Sequence, residues 1–295
     1  MTRPLDARAS GPLAVATRSG FPESVHLGAA VVMDADGVEL HRIGDPGRLL
    51  YPRSALKPFQ TVAARRAGAR FSTEQAVIVS SSHAGTPRHI ALVREVLATA
   101  GLDEAALQTP ESWPSSAEAA RDRVREGLGP ARIAMNCSGN HAGMLAGSVA
   151  AGWSVDDYLG PAHPIHALAA TVIAEYGRAR AAHQGVDGCG GPVWAIPLTA
   201  LADGYRRLCA DDAALAAAVR AFPDLVEGSG TPTTRAIATL DVVAKSGAAG
   251  VFAAVALLAA SDAVDGDAAD AFLDDPALAV TGGGVPVGRI RVLGR

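Results

Sequence analysis

Apolar runs with strand-like spacing and apolar positions with helix-like spacing alternate along the chain, which predicts a mixed fold. Residues 26–44 predict a hairpin, because the β-rich runs 29–33 and 38–41 flank Asp-Ala-Asp-Gly, and Asp-Gly is a strong turn signal. Further strands are predicted at 75–80, 132–135, 193–196, 250–258 and 285–293. Pro286 predicts that the last of these is an edge strand, because proline cannot donate to a strand ladder.

Helical patterns cover much of the remaining chain. They are predicted at 54–68, 87–100, 115–127, from the loop 136–144 onward, 163–176, from the end of the 193–196 strand to 208, 211–222 and 233–245. Helices mixed with strands and an early hairpin indicate the fold class α/β (α+β), with a central, mainly antiparallel sheet flanked by helices. No repeat or low-complexity linker divides the 295 residues, so we expect a single domain over 1–295, with 1–10 flexible.

The composition of the chain disfavours some classes of binding partner. The net charge is −4 without a block of like charge, and aromatic residues make up only 4%, so nucleic acid and anionic membranes are poor partners. The N-terminus shows no signal-peptide pattern, and the apolar run 248–260 is shorter than the ~20 residues that span a bilayer. Three cysteines, an odd number, favour a reducing, cytoplasmic location over a disulfide framework.

Ser54 and Lys57 carry the first candidate chemistry. They lie at positions i and i+3 of a predicted helix start, and such positions share one face. An uncharged Lys57 amine could therefore remove the proton of a Ser54 nucleophile. Burial and a second cation both favour an uncharged lysine, so the pair predicts a dry site with more positive charge close by. The alternative is a capping serine beside a solvated lysine.

Ser82 and His83 follow a predicted strand end and offer a second nucleophile or a proton relay, or else ordinary turn hydrogen bonds. Lys245 ends an otherwise apolar predicted helix. It is either a lysine favoured by the helix dipole or the second cation that the Ser54–Lys57 pair requires.

Cys137 and His141 lie four residues apart across a helix start, and Cys189 lies in a glycine-rich loop. Two thiolates and an imidazole would suit zinc, but no Cys-x-x-Cys occurs, and buried cysteines are an equally good interpretation. Asp187 stands in the same glycine-rich loop, where a ligand can approach the backbone closely. Its carboxylate would hold a substrate ammonium group, or simply stabilise a turn.

These segments together resemble one protein family, the Rhizobium etli-type (class 3) L-asparaginases, also grouped as asparaginase II-like proteins. The resemblance runs from about residue 16 to the C-terminus. It rests on Arg18 with residues 23–26, and on the segments 53–60, 82–85, 135–139, 141–144, 187–190, 244–248 and 250–251.

The resemblance implies a serine β-lactamase/glutaminase-like fold, a homodimer, and hydrolysis of L-asparagine to L-aspartate and ammonia. It also implies two Ser–Lys tandems, which match Ser54 with Lys57 and Ser82 with Lys245.

Substrate and zinc contacts follow from the same resemblance. Substrate-lining positions of the family match Arg53, His141 and Asp187, and we add His83 and Asn140 as substrate-binding candidates. The zinc-binding cysteines of the family match Cys137 and Cys189. The family's third zinc ligand, a lysine, is replaced by Asn140. An amide is a much weaker zinc ligand, so we expect no required cofactor and disfavour zinc.

The resulting hypothesis is acyl transfer, in which a lysine-activated serine attacks the side-chain amide of asparagine and water hydrolyses the acyl-enzyme. Backbone amides would stabilise the oxyanion. The sequence favours Ser54 as the nucleophile because of its local spacing with Lys57. Two alternatives remain: a Ser-x-x-Lys amidase with another amide substrate, although Lys-Thr-Gly is missing, and a non-catalytic amino-acid or zinc-binding protein on the same scaffold.

Overall fold

The structure, a computed structural model, describes residues 3–256, 279–282 and 285–292. Within them, the helices are α1 Lys57–Arg66, α2 Thr73–Val79, α3 Pro87–Thr99, α4 Ala117–Arg125, α5 Ser138–Ala150, α6 Pro164–Gly177, α7 Leu198–Asp211, α8 Ala213–Ala221, α9 Asp224–Glu227 and α10 Pro232–Leu240. Short 3-10 helices cover Arg53–Leu56, Glu104–Ala106, Arg132–Ala134 and Ala248–Gly250.

The strands are β1 Gly11–Arg18, β2 Phe21–Gly28, β3 Ala30–Met33, β4 Glu39–Ile43, β5 Leu49–Leu50, β6 His183–Val186, β7 Pro192–Pro197, β8 Val242–Ser246, β9 Phe252–Ala256, β10 Ala279–Gly282 and β11 Val285–Val292. They form antiparallel sheets in the orders β10-β11-β1-β2, β3-β4, β5-β7-β6 and β8-β9. The predicted mixed α/β class with antiparallel pairing is confirmed, and the described strands are spread over small sheets.

The core lies among the helices, where α1 contacts α5 and α6, and α2 and α3 pack on α5. Helix α5 approaches its neighbours closely because glycines occupy one face at four-residue spacing. A Cβ atom at Gly139 would overlap the carbonyl of Ile78, and one at Gly143 would overlap the side chain of Val79. The first residues of α5 are therefore held directly against α2.

Three predicted segments are wrong in type. Residues 75–80 belong mostly to α2, which begins with a capping box between Ser72 and Gln75, and residues 132–134 form a 3-10 turn. A short, fully buried apolar run does not distinguish helix from strand by periodicity. The predicted helix 233–245 ends at Leu240. The next residue, Asp241, has a left-handed backbone (φ 52°) and leads into β8, which places Lys245 on a strand.

The prediction for Pro286 is also wrong, because β11 lies between β10 and β1 and is not an edge strand. The hairpin within 26–44 is confirmed as β3–β4, as are the predicted helices that correspond to α3 and α5–α8. The predicted strand 250–258 is β9, and its last two residues lie outside the described part of the chain. No helix in the described ranges has both the length and the apolar character needed to cross a membrane.

Candidate active site

Segments far apart in sequence meet at one small cavity beside the N-terminus of α1. The cavity has a volume of about 20 Å³, which exceeds the space that one ordered water needs. Its polar lining includes Ser54, Lys57, Gln60, Asn140, His166, Asp187 and Cys189. The fold thus brings most of the candidate residues from the sequence to one place.

Lys57 is buried at the centre of the site, with 4% of its surface exposed. Its Nζ atom lies 2.6 Å from the carbonyl oxygen of Ser81 and 3.0 Å from Oγ of Ser82. The expected contact between Lys57 and Ser54 is not among the described hydrogen bonds of Lys57. Ser54 belongs to the 3-10 helix that precedes α1, and the buried amine instead reaches across to the two acceptors that follow α2.

Lys245 is also buried, but it has a different kind of partner. Its Nζ atom lies 2.8 Å from Oε1 of Glu227 and 2.9 Å from the carbonyl oxygen of Ser246. The Ser246 hydroxyl donates to the same Glu227 oxygen. The hydrogen bonds therefore pair Ser82 with Lys57, and the expected tandem of Ser82 with Lys245 is not formed by direct contact.

Electrostatics connects the two lysines. Burial lowers the pKa of Lys245 to about 8; the Glu227 carboxylate opposes this shift, and the positive charge of Lys57 adds to it. Burial alone would raise the pKa of Glu227, but the charge of Lys245 and hydrogen bonds from Lys245, Ser246 and Thr233 lower it overall. Lys245 is thus close enough to Lys57 for the charge of Lys57 to affect its pKa, and it is ion-paired with Glu227.

Arg53 and Asp187 form the rim of the site and are bonded to each other. Arg53 Nε donates to Asp187 Oδ1 at 2.7 Å, and Asp187 Oδ1 also accepts from the Gly188 amide at 2.6 Å. Arg53 adopts a left-handed backbone (φ 55°), a conformation that costs about 1–3 kcal/mol in a non-glycine residue and is common at functional sites. The side chains of Arg53 and Asp187, which were both expected to contact the substrate, therefore lie next to each other.

The Cys137 and Cys189 thiols interact beneath this rim. A hydrogen bond from Cys189 lowers the pKa of Cys137, burial opposes this, and the positive charge of Lys57 adds to the lowering. Cys189 keeps its proton, since its hydrogen bond to Cys137 and its burial raise its pKa. The pair is therefore ready to release one proton and resists losing the second.

This donor set does not fit a zinc site. Asn140 Nδ2 donates to the carbonyl oxygen of Val79 at 3.0 Å, so its amide is engaged with α2. Within the described ranges, no three His, Cys, Asp or Glu side chains are grouped so that they could hold a metal ion, whereas zinc sites use at least three protein ligands. We derive no step of the chemistry through a metal.

Two neutral histidines border the site, and Tyr158 orients both of them. The Tyr158 hydroxyl accepts from the Gln108 amide and donates to His141 Nδ1 at 2.8 Å, while His166 Nε2 donates to the Tyr158 carbonyl at 2.6 Å. Burial lowers the pKa of His141 to about 3 and that of His166 to about 4. His141 Nε2 and His166 Nδ1 are buried without a hydrogen-bond partner. Given these directions, His141 Nε2 offers a donor and His166 Nδ1 offers an acceptor.

His83 is fully engaged inside the protein. Its Nε2 atom donates to Ser138 Oγ at 2.8 Å, because the Ser138 hydroxyl already donates to a carbonyl oxygen, and its Nδ1 atom accepts from the Gly85 amide. Burial lowers the pKa of His83 well below its usual value. Both ring nitrogens are used, so the geometry does not support the expected substrate contact; His83 instead anchors the loop that carries Ser82.

Glu227, Tyr158 and His166 are the site residues that sequence reasoning missed. Glu227 precedes Lys245 by 18 residues, and nothing in the local pattern predicts that the two meet. The only sequence signal for His166 was its position near the start of an apolar helix, which is typical of a core histidine.

Comparison with known proteins identifies a family for the chain. A sequence model of the family described as L-asparaginase II matches residues 14–269. A search of curated proteins found no match.

Proposed function

Since the chain belongs to the L-asparaginase II family, we propose that it is an amidohydrolase that converts L-asparagine to L-aspartate and ammonia. The observation that carries the proposal is the 3.0 Å contact between the buried Lys57 amine and the Ser82 hydroxyl. A serine beside a buried amine is the arrangement that Lys-activated nucleophiles use. The homodimer and the cytoplasmic location remain predictions from the sequence.

In the proposed reaction, the Lys57 amine takes the Ser82 proton, and Ser82 Oγ attacks the carbonyl carbon of the side-chain amide. The C–N bond then breaks, and the nitrogen leaves as ammonia with the proton that Lys57 returns. Water hydrolyses the resulting ester, and Lys57 again moves the proton. The sequence favoured Ser54 as the nucleophile; the contact with Lys57 favours Ser82, and leaves Ser54 as a lining residue of the cavity.

The rim supports an amino acid as substrate. Arg53 and Asp187 carry opposite charges next to each other, which complements the α-carboxylate and α-ammonium groups of a zwitterion. When the substrate binds, each side chain exchanges its partner for the oppositely charged group of the substrate.

Ammonia release from L-asparagine by purified variants tests the assignment. We expect Ser82→Ala and Lys57→Met each to lower kcat by about 10³-fold or more, with Ser54→Ala less affected. The exposed Ser154→Ala serves as the control. A larger loss in Ser54→Ala than in Ser82→Ala would make Ser54 the nucleophile, and near-full activity in both would reject the Ser–Lys mechanism.

A parallel assay with L-glutamine separates asparaginase activity from activity on a longer amide. Calorimetry separates an enzyme from a binding protein on the same scaffold. Heat of binding with L-asparagine, but no ammonia from either amide, would identify the chain as a non-catalytic amino-acid binder and overturn the proposal.

A further inference from the structure

The two buried lysines of the site differ in the groups that hold them. The Lys57 amine reaches the Ser82 hydroxyl and a carbonyl oxygen, and its hydrogen bond with Cys137 helps to lower the pKa of that thiol. Lys245 donates to a carboxylate, and only 2% of the Lys245 side chain and 13% of the Glu227 side chain are exposed. A carboxylate within hydrogen-bond distance favours the charged form of an amine. Because Lys57 contacts the serine and Lys245 contacts the carboxylate, the two lysines are suited to different tasks.

Glu227 is fixed in place by the segments that form the site. It ends the short helix α9, and its Oε1 atom accepts hydrogen bonds from both Lys245 and Ser246 on β8. The preceding residue, Val226, accepts a hydrogen bond from the Ser82 amide at 2.9 Å. The Glu227 segment therefore joins the loop of the proposed nucleophile to the strand that carries Lys245.

We propose that Glu227 is a positioning residue that holds Lys245 in place as a positive charge of the site, so that Lys57, which contacts the Ser82 hydroxyl, acts as the base. This inference rests on the proposed function and deepens it. The Glu227 carboxylate favours the protonated form of Lys245, and the described hydrogen bonds of Lys245 do not include Ser82. Held in this position, Lys245 instead supplies a preorganised charge that favours the anionic species of acyl transfer.

The proposal assigns the two lysines opposite responses to the same substitution. Arginine stays charged and cannot serve as a base. Lys245→Arg should therefore keep kcat within about tenfold of the wild type, whereas Lys57→Arg should lose about 10³-fold or more. Thermal unfolding of both variants shows that the comparison is made between folded proteins.

Glu227→Gln provides a second, independent measurement for the case in which arginine does not fit. If Lys245 is a fixed cation, removal of the carboxylate should lower kcat about 10–100-fold and leave the KM for L-asparagine within about twofold. If Lys245 is a base, release from Glu227 should preserve or raise kcat. Glu74→Gln, which removes an exposed partner of Arg88, is the matched control and should change neither constant.

The outcomes separate this inference from the proposed function. A folded Lys245→Arg variant as inactive as Lys57→Arg, or a Glu227→Gln variant with undiminished kcat, would overturn the inference while leaving an active wild type. A wild type that releases no ammonia from L-asparagine would reject the proposed function, and the inference with it.

Discussion

Two ion pairs border the candidate site, and they differ mainly in their contact with solvent. In the rim pair, Arg53 and Asp187 have side chains that are 34% and 18% exposed. In the buried pair, the corresponding values for Lys245 and Glu227 are 2% and 13%. The rim pair can exchange partners with a charged solute at small cost, because water already solvates part of it. The buried pair cannot exchange partners with a solute in this way, so the positions of its charges are fixed when the protein folds.

The largest expected effect comes from breaking the buried pair on one side. Lys245→Met leaves the Glu227 carboxylate without its cation, and we expect a loss of about 3–5 kcal/mol in the free energy of unfolding at neutral pH. Urea unfolding measures it. The double variant Lys245→Met/Glu227→Leu should recover much of the loss, because hydrophobic replacement of both members removes the uncompensated charge. A double variant no more stable than the single one would contradict this view of the pair.

Breaking the rim pair should affect binding and leave stability almost unchanged. Arg53→Gln and Asp187→Asn should each change the free energy of unfolding by less than about 1 kcal/mol. Each should raise the KM for L-asparagine about 10–100-fold, because this factor corresponds to the usual free energy of a hydrogen bond to a charged group. Steady-state kinetics measures the KM, and urea unfolding of the same samples measures the free energy of unfolding.

Arg66→Gln is the control for the rim variants, since it removes an exposed ion pair with Glu175 away from the site. It should alter neither KM nor stability noticeably. If Arg53→Gln instead destabilised the protein as much as Lys245→Met does, the distinction between rim and interior would be lost.

Acid should lower stability through the buried histidines of the interior. The pKa values of His141 and His166 are lowered to about 3 and about 4, against about 6.5 in an unfolded chain. The unfolded state therefore binds protons more readily, so their contribution to stability is complete above pH 6.5 and is lost as the pH falls toward 4. At pH 5 we expect a loss of roughly 1–2 kcal/mol per histidine.

Urea unfolding at pH 7 and pH 5 checks this expectation. His166→Gln should make stability less dependent on pH, whereas the exposed His41→Gln should not. Equal stability of the wild type at both pH values would show that the buried histidines do not titrate in this way.

Salt should produce the smallest effect. Raising the ionic strength from about 0.1 M to about 1 M shortens the screening length from about 10 Å to about 3 Å. Binding of a zwitterion at the partly exposed rim should weaken roughly twofold to fivefold, while kcat, which depends on buried charges, should stay nearly constant. A salt-dependent kcat with constant KM would reverse the assignment of the two regions.

Much of the fold was accessible from the sequence because turn and capping signals are local. Asp-Gly marks the β3–β4 hairpin, and Pro87 marks the start of α3. The strand-like run 75–80 was misread because a helix buried on all sides has no polar face to reveal its period. Lys245 was placed on a helix because nothing in the apolar pattern shows that Asp241 turns the chain into β8.

In the candidate site, too, the sequence shows local motifs but not the contacts between distant segments. Lys57 and Ser82 could be identified from short motifs, but their contact depends on how α1 packs against the end of α2. Spacing along the chain favoured Ser54 because sequence shows neighbours on one helix and does not show acceptors on another. Glu227 was missed because only the folded chain brings α9 to β8.

The glycine face of α5 has a consequence for how this site can be altered. Cys137 and His141 lie at the start of α5, and Ser82 follows α2, so the width of the site depends on the volume at Gly143, where even a methyl group would meet Val79. Gly143→Ala would move one wall of the cavity as a unit without replacing any residue that borders the substrate. Mutagenesis libraries aimed at a longer amide should therefore include this distant helix contact as well as the cavity lining.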